Sequence, residues 1–204
     1  MIRSTRLGQL ALGLLVVFAG SAKLQAADLN FLIQQVGADV VTSFTGVVNK
    51  SALTSLGNSN GSGRFWGNFF AGGSVLQIGP VSNYTSYSGL NGSGFFGSGS
   101  QTVAGINTGD NVGINSNGSN TKLFLPVNYV SGSSISGTST YSGKTLSELG
   151  MTVGTYNWSW GSGANAGTAQ LTISAVPEPS TYALAAIATG VMAAVARRRK
   201  ARTA

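Results

Sequence analysis

The chain reads as a mainly β protein, an antiparallel β-sandwich or β-roll with Gly/Ser/Asn-rich turns, and three observations predict it. Gly, Ser, Thr and Asn dominate the section from Ala27 to Val176, while the strong helix formers Leu, Glu and Lys are sparse there. Short runs of β-branched and aromatic residues alternate with polar ones, the periodicity of half-buried strands. Turn signals separate these runs, among them Asn60-Gly61, Asn91-Gly92 and Asn117-Gly118.

The clearest strand is "MTVGTYNWSW" (151–160), where Tyr156, Trp158 and Trp160 alternate with Asn157 and Ser159. Period two places the three aromatics on one face. "LFLPVNYV" (123–130) is a second apolar strand, with Pro126 expected to mark an edge or a bulge. "DVVTSFTGVV" (39–48), "SVLQIG" (74–79) and "AQLTISA" (169–175) are further strands, and "KTLSEL" (144–149) is expected to form one helical turn. A short echo links "NGSGRFWG" from Asn60 with "NGSGFFG" from Asn91, placing Phe65 and Phe96 at matching positions. Two copies are too few for a solenoid, so the echo reads as a shared hairpin design.

The net charge of +7 over 204 residues is an effect of the two ends. Arg3, Arg6 and Lys23 lie near the start, and Arg197, Arg198, Arg199, Lys200 and Arg202 lie in the last eight residues. Between Ala27 and Val176, four basic residues (Lys50, Arg64, Lys122, Lys144) balance four acidic ones (Asp28, Asp39, Asp110, Glu148). A nucleic-acid partner is therefore not expected, because the body lacks a net electrostatic basis for one.

Residues 1–26 have the parts of a secretory signal peptide. Arg3 and Arg6 form the positive region, Leu10 to Gly20 the apolar region, and Leu24 and Ala26 the −3 and −1 positions of a cleavage site. Signal peptidase is expected to cut after Ala26 or after Ala27. The body then spans 27–175, and 176–200 form a different kind of signal. Pro177 and Pro179 stiffen Val176-Pro177-Glu178-Pro179 into an extended peptide. Ser180 or Thr181 is suited to cap a following helix. The 15-residue apolar run from Tyr182 to Ala196 would span roughly 22 Å against a hydrocarbon core of about 30 Å. That is a marginal, transient membrane anchor, which Tyr182 and snorkelling Arg side chains help to fit. Arg197, Arg198 and Arg199 act as a cytoplasmic stop, placing the body across the membrane.

The stretch "VPEPSTYALAAIATGVMAAVARRRK" resembles the PEP-CTERM sorting signal of Gram-negative bacteria, which joins a Pro-Glu-Pro motif, one hydrophobic segment and an Arg-rich tip. The resemblance implies recognition of Pro177, Glu178 and Pro179 by exosortase, a membrane-embedded Cys-dependent enzyme. It further implies release from the anchor to the cell surface or exopolysaccharide matrix. The stretches "GTYNWSWGSGANAGTAQLTISAVPEP" and "FLPVNYVSGSSISGTSTYSG" are similar to parts of small PEP-CTERM proteins, a resemblance that implies no activity.

The residue inventory narrows the chemistry. His and Cys are absent, so neither a Ser-His-Asp nor a Cys-His triad can form, and imidazole or thiolate metal sites are excluded. No pair of the four body carboxylates has a local spacing suited to glycoside hydrolysis. No catalytic, metal or cofactor residue is expected, and the protein is expected not to be an enzyme. Gly92 to Gly97 matches G-x-G-x-x-G, but no βαβ pattern surrounds it and it reads as a turn. The loop around Asp110 has one carboxylate and reads as polar rather than Ca²⁺-binding. Asn-x-Ser/Thr triplets at Asn49, Asn60, Asn83, Asn91, Asn117 and Asn157 follow from composition. Two roles compete for Tyr156, Trp158 and Trp160: filling the core, which a body poor in Leu and Ile needs, or stacking on sugars. Arg64-Phe65-Trp66 and Phe69-Phe70 pose the same alternative. The expected function is a secreted structural or adhesive protein of the surface or exopolysaccharide matrix. The alternative is a carbohydrate-binding module for extracellular polysaccharide.

Overall fold

A computed structural model describes residues 27–67, 73–117 and 120–175. The signal peptide, the Pro-Glu-Pro motif, the expected helix at 182–196, the Arg tip and Phe69-Phe70 lie outside the described residues.

Two seven-stranded sheets face each other. Sheet A runs β7 (Asn91–Gly92), β13 (Gly154–Trp160), β14 (Gly167–Ala175), β1 (Ala27–Val36), β2 (Asp39–Val47), β12 (Ser134–Tyr141) and β9 (Ile106–Gly109). Sheet B runs β3 (Thr54–Gly61), β6 (Ser82–Ser88), β11 (Lys122–Pro126), β10 (Val112–Ser116), β5 (Ser74–Ile78), β4 (Arg64–Trp66) and β8 (Thr102–Val103). The architecture is a β-sandwich, with one departure from the antiparallel expectation. β1 and β14 pair in parallel, from Ala27 with Gly167 to Gln35 with Ala175. Parallel neighbours need a long connection, and here nearly the whole body supplies it.

One continuous core fills the space between the sheets. Leu29, Phe31, Ile33, Phe44, Trp158, Leu171 and Ile173 enter from sheet A, and Phe65, Leu76, Ile78, Val112, Ile114, Leu123 and Leu125 from sheet B. Alternation explains the selection. In β14 the odd-numbered residues from Gly167 to Ile173 are buried, and their even-numbered neighbours reach the surface. β1 obeys the same rule through Leu29, Phe31 and Ile33, and Val36 and Asp39 close a two-residue loop to β2 with Gly37 at φ +60°. Both sheets are tied by buried polar contacts. Ser139 Oγ on β12 accepts the Gly79 N–H at 3.0 Å and donates to Asn107 Oδ1 at 2.5 Å.

Several local expectations change. β11 is central, between β6 and β10, and Pro126 is its last residue, opposite Tyr84. A residue without an N–H is tolerated there because the ladder ends at it. Asn60-Gly61 ends β3, and Asn91-Gly92 is β7, so neither is a tight turn. Close packing is the reason at Gly92: a Cβ there would lie 2.1 Å from the Asn157 carbonyl oxygen. The echoed Phe65 and Phe96 meet each other in the core, ring centroids 6.1 Å apart, instead of heading two similar hairpins. The turn in "KTLSEL" forms, closed by Leu149 N–H donating to Thr145 O at 3.1 Å. A reciprocal cap holds it: Glu148 N–H donates to Thr145 Oγ1, and Thr145 N–H donates to Glu148 Oε2.

Candidate functional site

Of the processing residues, only Ala27 is described, as the first residue of β1. At the other limit β14 ends at Ala175, two residues before Pro177. Because β1 and β14 run parallel, these two points leave the sandwich at opposite ends of the pair.

The three aromatics of β13 do share one face, and that face points inward. Trp158 and Trp160 are each 2% exposed, so neither indole offers a face to a sugar, and both serve the core. Trp158 Nε1–H donates to Ser93 O at 2.9 Å and to Ser116 Oγ at 3.3 Å, linking the sheets. Trp160 Nε1–H donates to Asn49 O at 2.9 Å. Tyr156 is half-buried with its ring edge on Phe96, and its hydroxyl donates to Thr152 O. Burial pushes this phenol above its ordinary range. The stacking role therefore has no surface at Trp158 and Trp160. Indoles this large settle inside because their burial removes the most apolar area from water.

A second ring cluster lies on the outer face of sheet B, with Tyr84 and Phe124 each 6% exposed and Trp66 partly buried against them. Phe65 points into the core, so period two turns Arg64 and Trp66 outward. The same alternation turns Val75, Asn115, Phe124 and Tyr84 outward on β5, β10, β11 and β6. Tyr84 and Phe124 lie with centroids 4.7 Å apart, and Trp66 packs beside them. Gly113, opposite Phe124, has no side chain to lift that ring. A Cβ there would sit 3.0 Å from Phe124 Cδ2 and 2.5 Å from Leu76 O.

Arg64, Trp66, Val75, Tyr84, Asn115 and Phe124 enclose a small cavity of about 100 Å³. Two of its polar atoms, Arg64 Nε and Asn115 Oδ1, are buried without a hydrogen-bond partner. Such orphans are uncommon, since an unmet buried group costs about 1–3 kcal/mol. Adjoining it is an open cleft of about 490 Å³ lined by Tyr84, Ser86, Asn115, Asn117, Asn120, Lys122 and Phe124. Together they form a concave site with aromatic walls, one unmet donor, one unmet acceptor and a cation at the rim. Its polar floor and aromatic walls suit a ligand with both hydroxyl groups and C–H faces.

A second concavity of about 500 Å³ lies on the outer face of sheet A, lined in part by Asp28, Asn30, Asn157, Ser159, Thr168 and Gln170. Several of its polar groups satisfy one another. Thr168 Oγ1–H donates to Asp28 Oδ1 at 2.5 Å, and Gln170 Nε2–H donates to Asn157 Oδ1 at 2.9 Å.

Sequence reading singled out Arg64 and Trp66 but not their partners Tyr84, Asn115, Lys122 and Phe124. The outward phase of four different strands had to be known to join them. The loop around Asp110 has a structural use, as Asp110 Oδ2 accepts the Ser136 N–H at 3.1 Å. The G-x-G-x-x-G stretch runs from β7 to an isolated bridge between Gly97 and Met151, with no helix following it.

No curated protein and no solved structure matches the chain. Residues 175–200 match the family described as the PEP-CTERM protein-sorting motif. The match begins at Ala175, the last residue of β14. The chain carries a PEP-CTERM protein-sorting motif, which implies export and processing by exosortase.

Proposed function

We propose that the mature body is a non-enzymatic adhesive component of the cell surface or exopolysaccharide matrix, and that it holds extracellular polysaccharide on the outer face of sheet B. The observation that carries this reading is the aromatic cavity of Trp66, Tyr84 and Phe124 with its unmet Arg64 Nε and Asn115 Oδ1. Aromatic faces pack against the C–H faces of sugar rings, and unmet polar atoms select hydroxyl partners. The lack of His and Cys supports a binding role over a hydrolytic one. This reading moves the glycan contact from the buried indoles of β13 to the opposite sheet.

In the proposed route, signal peptidase removes 1–26 or 1–27 in a Gram-negative bacterium. A temporary anchor at 182–196 then holds the protein until exosortase acts at Pro177-Glu178-Pro179.

Trp66 makes the binding reading measurable, because it is the one indole of three that lines a concavity on this face. Titrating the mature secreted protein with soluble polysaccharides is expected to change its emission, and Trp66→Phe is expected to abolish that change. Unchanged emission and unchanged gel mobility across neutral and acidic polysaccharides would sink the reading. The sorting step has its own test. Deleting Pro177 to Pro179 is expected to leave full-length protein in the membrane fraction, and equal release of deletion and wild type would remove exosortase from the route.

A further inference from the structure

We infer that the polysaccharide unit held by sheet B is a carboxylate-bearing sugar, as in a polyuronate. The inference rests on the glycan-binding reading and specifies the ligand of the same site.

Charge distribution is the first observation. The seven strands of sheet B contain Arg64 and Lys122 and no Asp or Glu. The seven strands of sheet A contain Asp28 and Asp39 and no Lys or Arg. A body that is neutral in sum thus presents a cationic face and an anionic one. Both cations of sheet B line the aromatic site, Arg64 at the inner cavity and Lys122 at the open cleft. An anionic ligand is drawn to this face, and a guanidinium matches the geometry of a carboxylate.

The two unmet atoms discriminate among anions. Arg64 Nε–H needs an acceptor, and Asn115 Oδ1, on a side chain 7% exposed, needs a donor. A bare phosphate chain supplies acceptors and no hydroxyl donor, which leaves Asn115 Oδ1 unmet. A sugar acid supplies both, a carboxylate for the arginine and a hydroxyl for the asparagine. Its ring C–H face meets Trp66, Tyr84 and Phe124. The inner cavity of about 100 Å³ is small, so it suits one ring substituent while the ring and its neighbours lie in the larger cleft toward Lys122.

The test compares polyuronates (polygalacturonate and alginate) with their methyl-esterified forms, which keep the backbone and lose the charge. With the mature protein, Trp66 fluorescence is expected to report binding to at least one polyuronate. The esterified form should bind about tenfold or more weakly, and raised salt should weaken the acidic form only. Arg64→Gln and Lys122→Gln should each reduce that preference. Lys122 is on the rim, so its variant keeps the test valid if Arg64→Gln fails to fold. Equal affinity for the charged and esterified forms would overturn the acidic ligand and leave the glycan reading standing. Polyphosphate binding as tightly as the polyuronate would reduce the site to general attraction of polyanions and also overturn it. Absence of binding to every glycan, neutral ones included, would overturn both.

Discussion

The two sheets have the same number of strands and share one core, yet their outer faces differ in kind. Sheet A shows the solvent short polar side chains. Thr155, Thr172, Ser43, Thr138 and Thr108 fall in one cross-strand row interrupted by Leu32. Many of its groups pair locally, as Thr108 and Thr138 do at 2.7 Å. Sheet B instead keeps rings, two cations and three unmet polar atoms on its outside, Arg64 Nε, Gln77 Oε1 and Asn115 Oδ1. Its strands β5 and β10 are buried at every position, on the outer as well as the core face. The comparison teaches that one face of this sandwich is finished as a solvated surface, and the other keeps a buried ring cluster and polar atoms without hydrogen-bond partners.

The largest test of this contrast sets two tryptophans against each other. Trp158→Ala opens the core and removes the indole N–H donated to Ser93 O and Ser116 Oγ, and is expected to cost about 3–5 kcal/mol in urea unfolding. Trp66→Ala is expected to cost far less stability while removing glycan binding. Similar losses from both would mean that Trp66 belongs to the fold and not to a site.

A middle-sized effect is expected where the two sheets are joined. Ser139→Ala removes the acceptor of the buried Gly79 N–H and the donor to Asn107, and should cost about 1–3 kcal/mol. Its glycan affinity should remain unchanged, because Ser139 does not line the sheet B site. Loss of binding at unaltered stability would show that the sheets are coupled in recognition.

The smallest effect concerns an unmet atom with no ligand to await. Tyr141 is 1% exposed, and its hydroxyl is buried without a partner, away from both sheet B concavities. Tyr141→Phe should be neutral or stabilising by up to about 1 kcal/mol, since it removes a desolvated hydroxyl and leaves the ring. Burial pushes the phenols of Tyr141 and Tyr129 above the ordinary value of 10.0. A raised acid pKa leaves stability intact below that value and drains it above, where the unfolded chain ionises first. Denaturation midpoints should therefore fall above about pH 10, less steeply for Tyr141→Phe. An unaltered alkaline slope in that variant would remove Tyr141 from the account.

Strands with strong alternation were legible from residues alone. β13, β14, β2 and β5 lie where their patterns predicted, because period two and β-branched or aromatic content act locally. β1 was not anticipated, although Leu29, Phe31 and Ile33 carry the same period. Its start adjoins the signal segment, whose apolar run dominated the reading of that region. Asn60-Gly61 and Asn91-Gly92 misled because their local turn preference was overridden by pairing with β6 and β13. Two members of the candidate site, Arg64 and Trp66, stood out as a basic-aromatic cluster. Tyr84, Asn115, Lys122 and Phe124 did not, because no local pattern states which strands become neighbours.

Sequence by itself determined the sorting address, the β class and the grouping of Tyr156, Trp158 and Trp160 on one face. These depend on short-range order: a Pro-Glu-Pro motif, weak helix propensity and a two-residue period. Only the tertiary structure decided that this face lies inside, because alternation sets two faces without naming the buried one. Only it separated the acids of sheet A from the bases of sheet B, since a balanced total hides any spatial segregation. The same assembly brought β4, β5, β6, β10 and β11 side by side and placed Arg64 Nε and Asn115 Oδ1 in one aromatic cavity. Long-range strand pairing made that concavity, which no single segment of the chain contains.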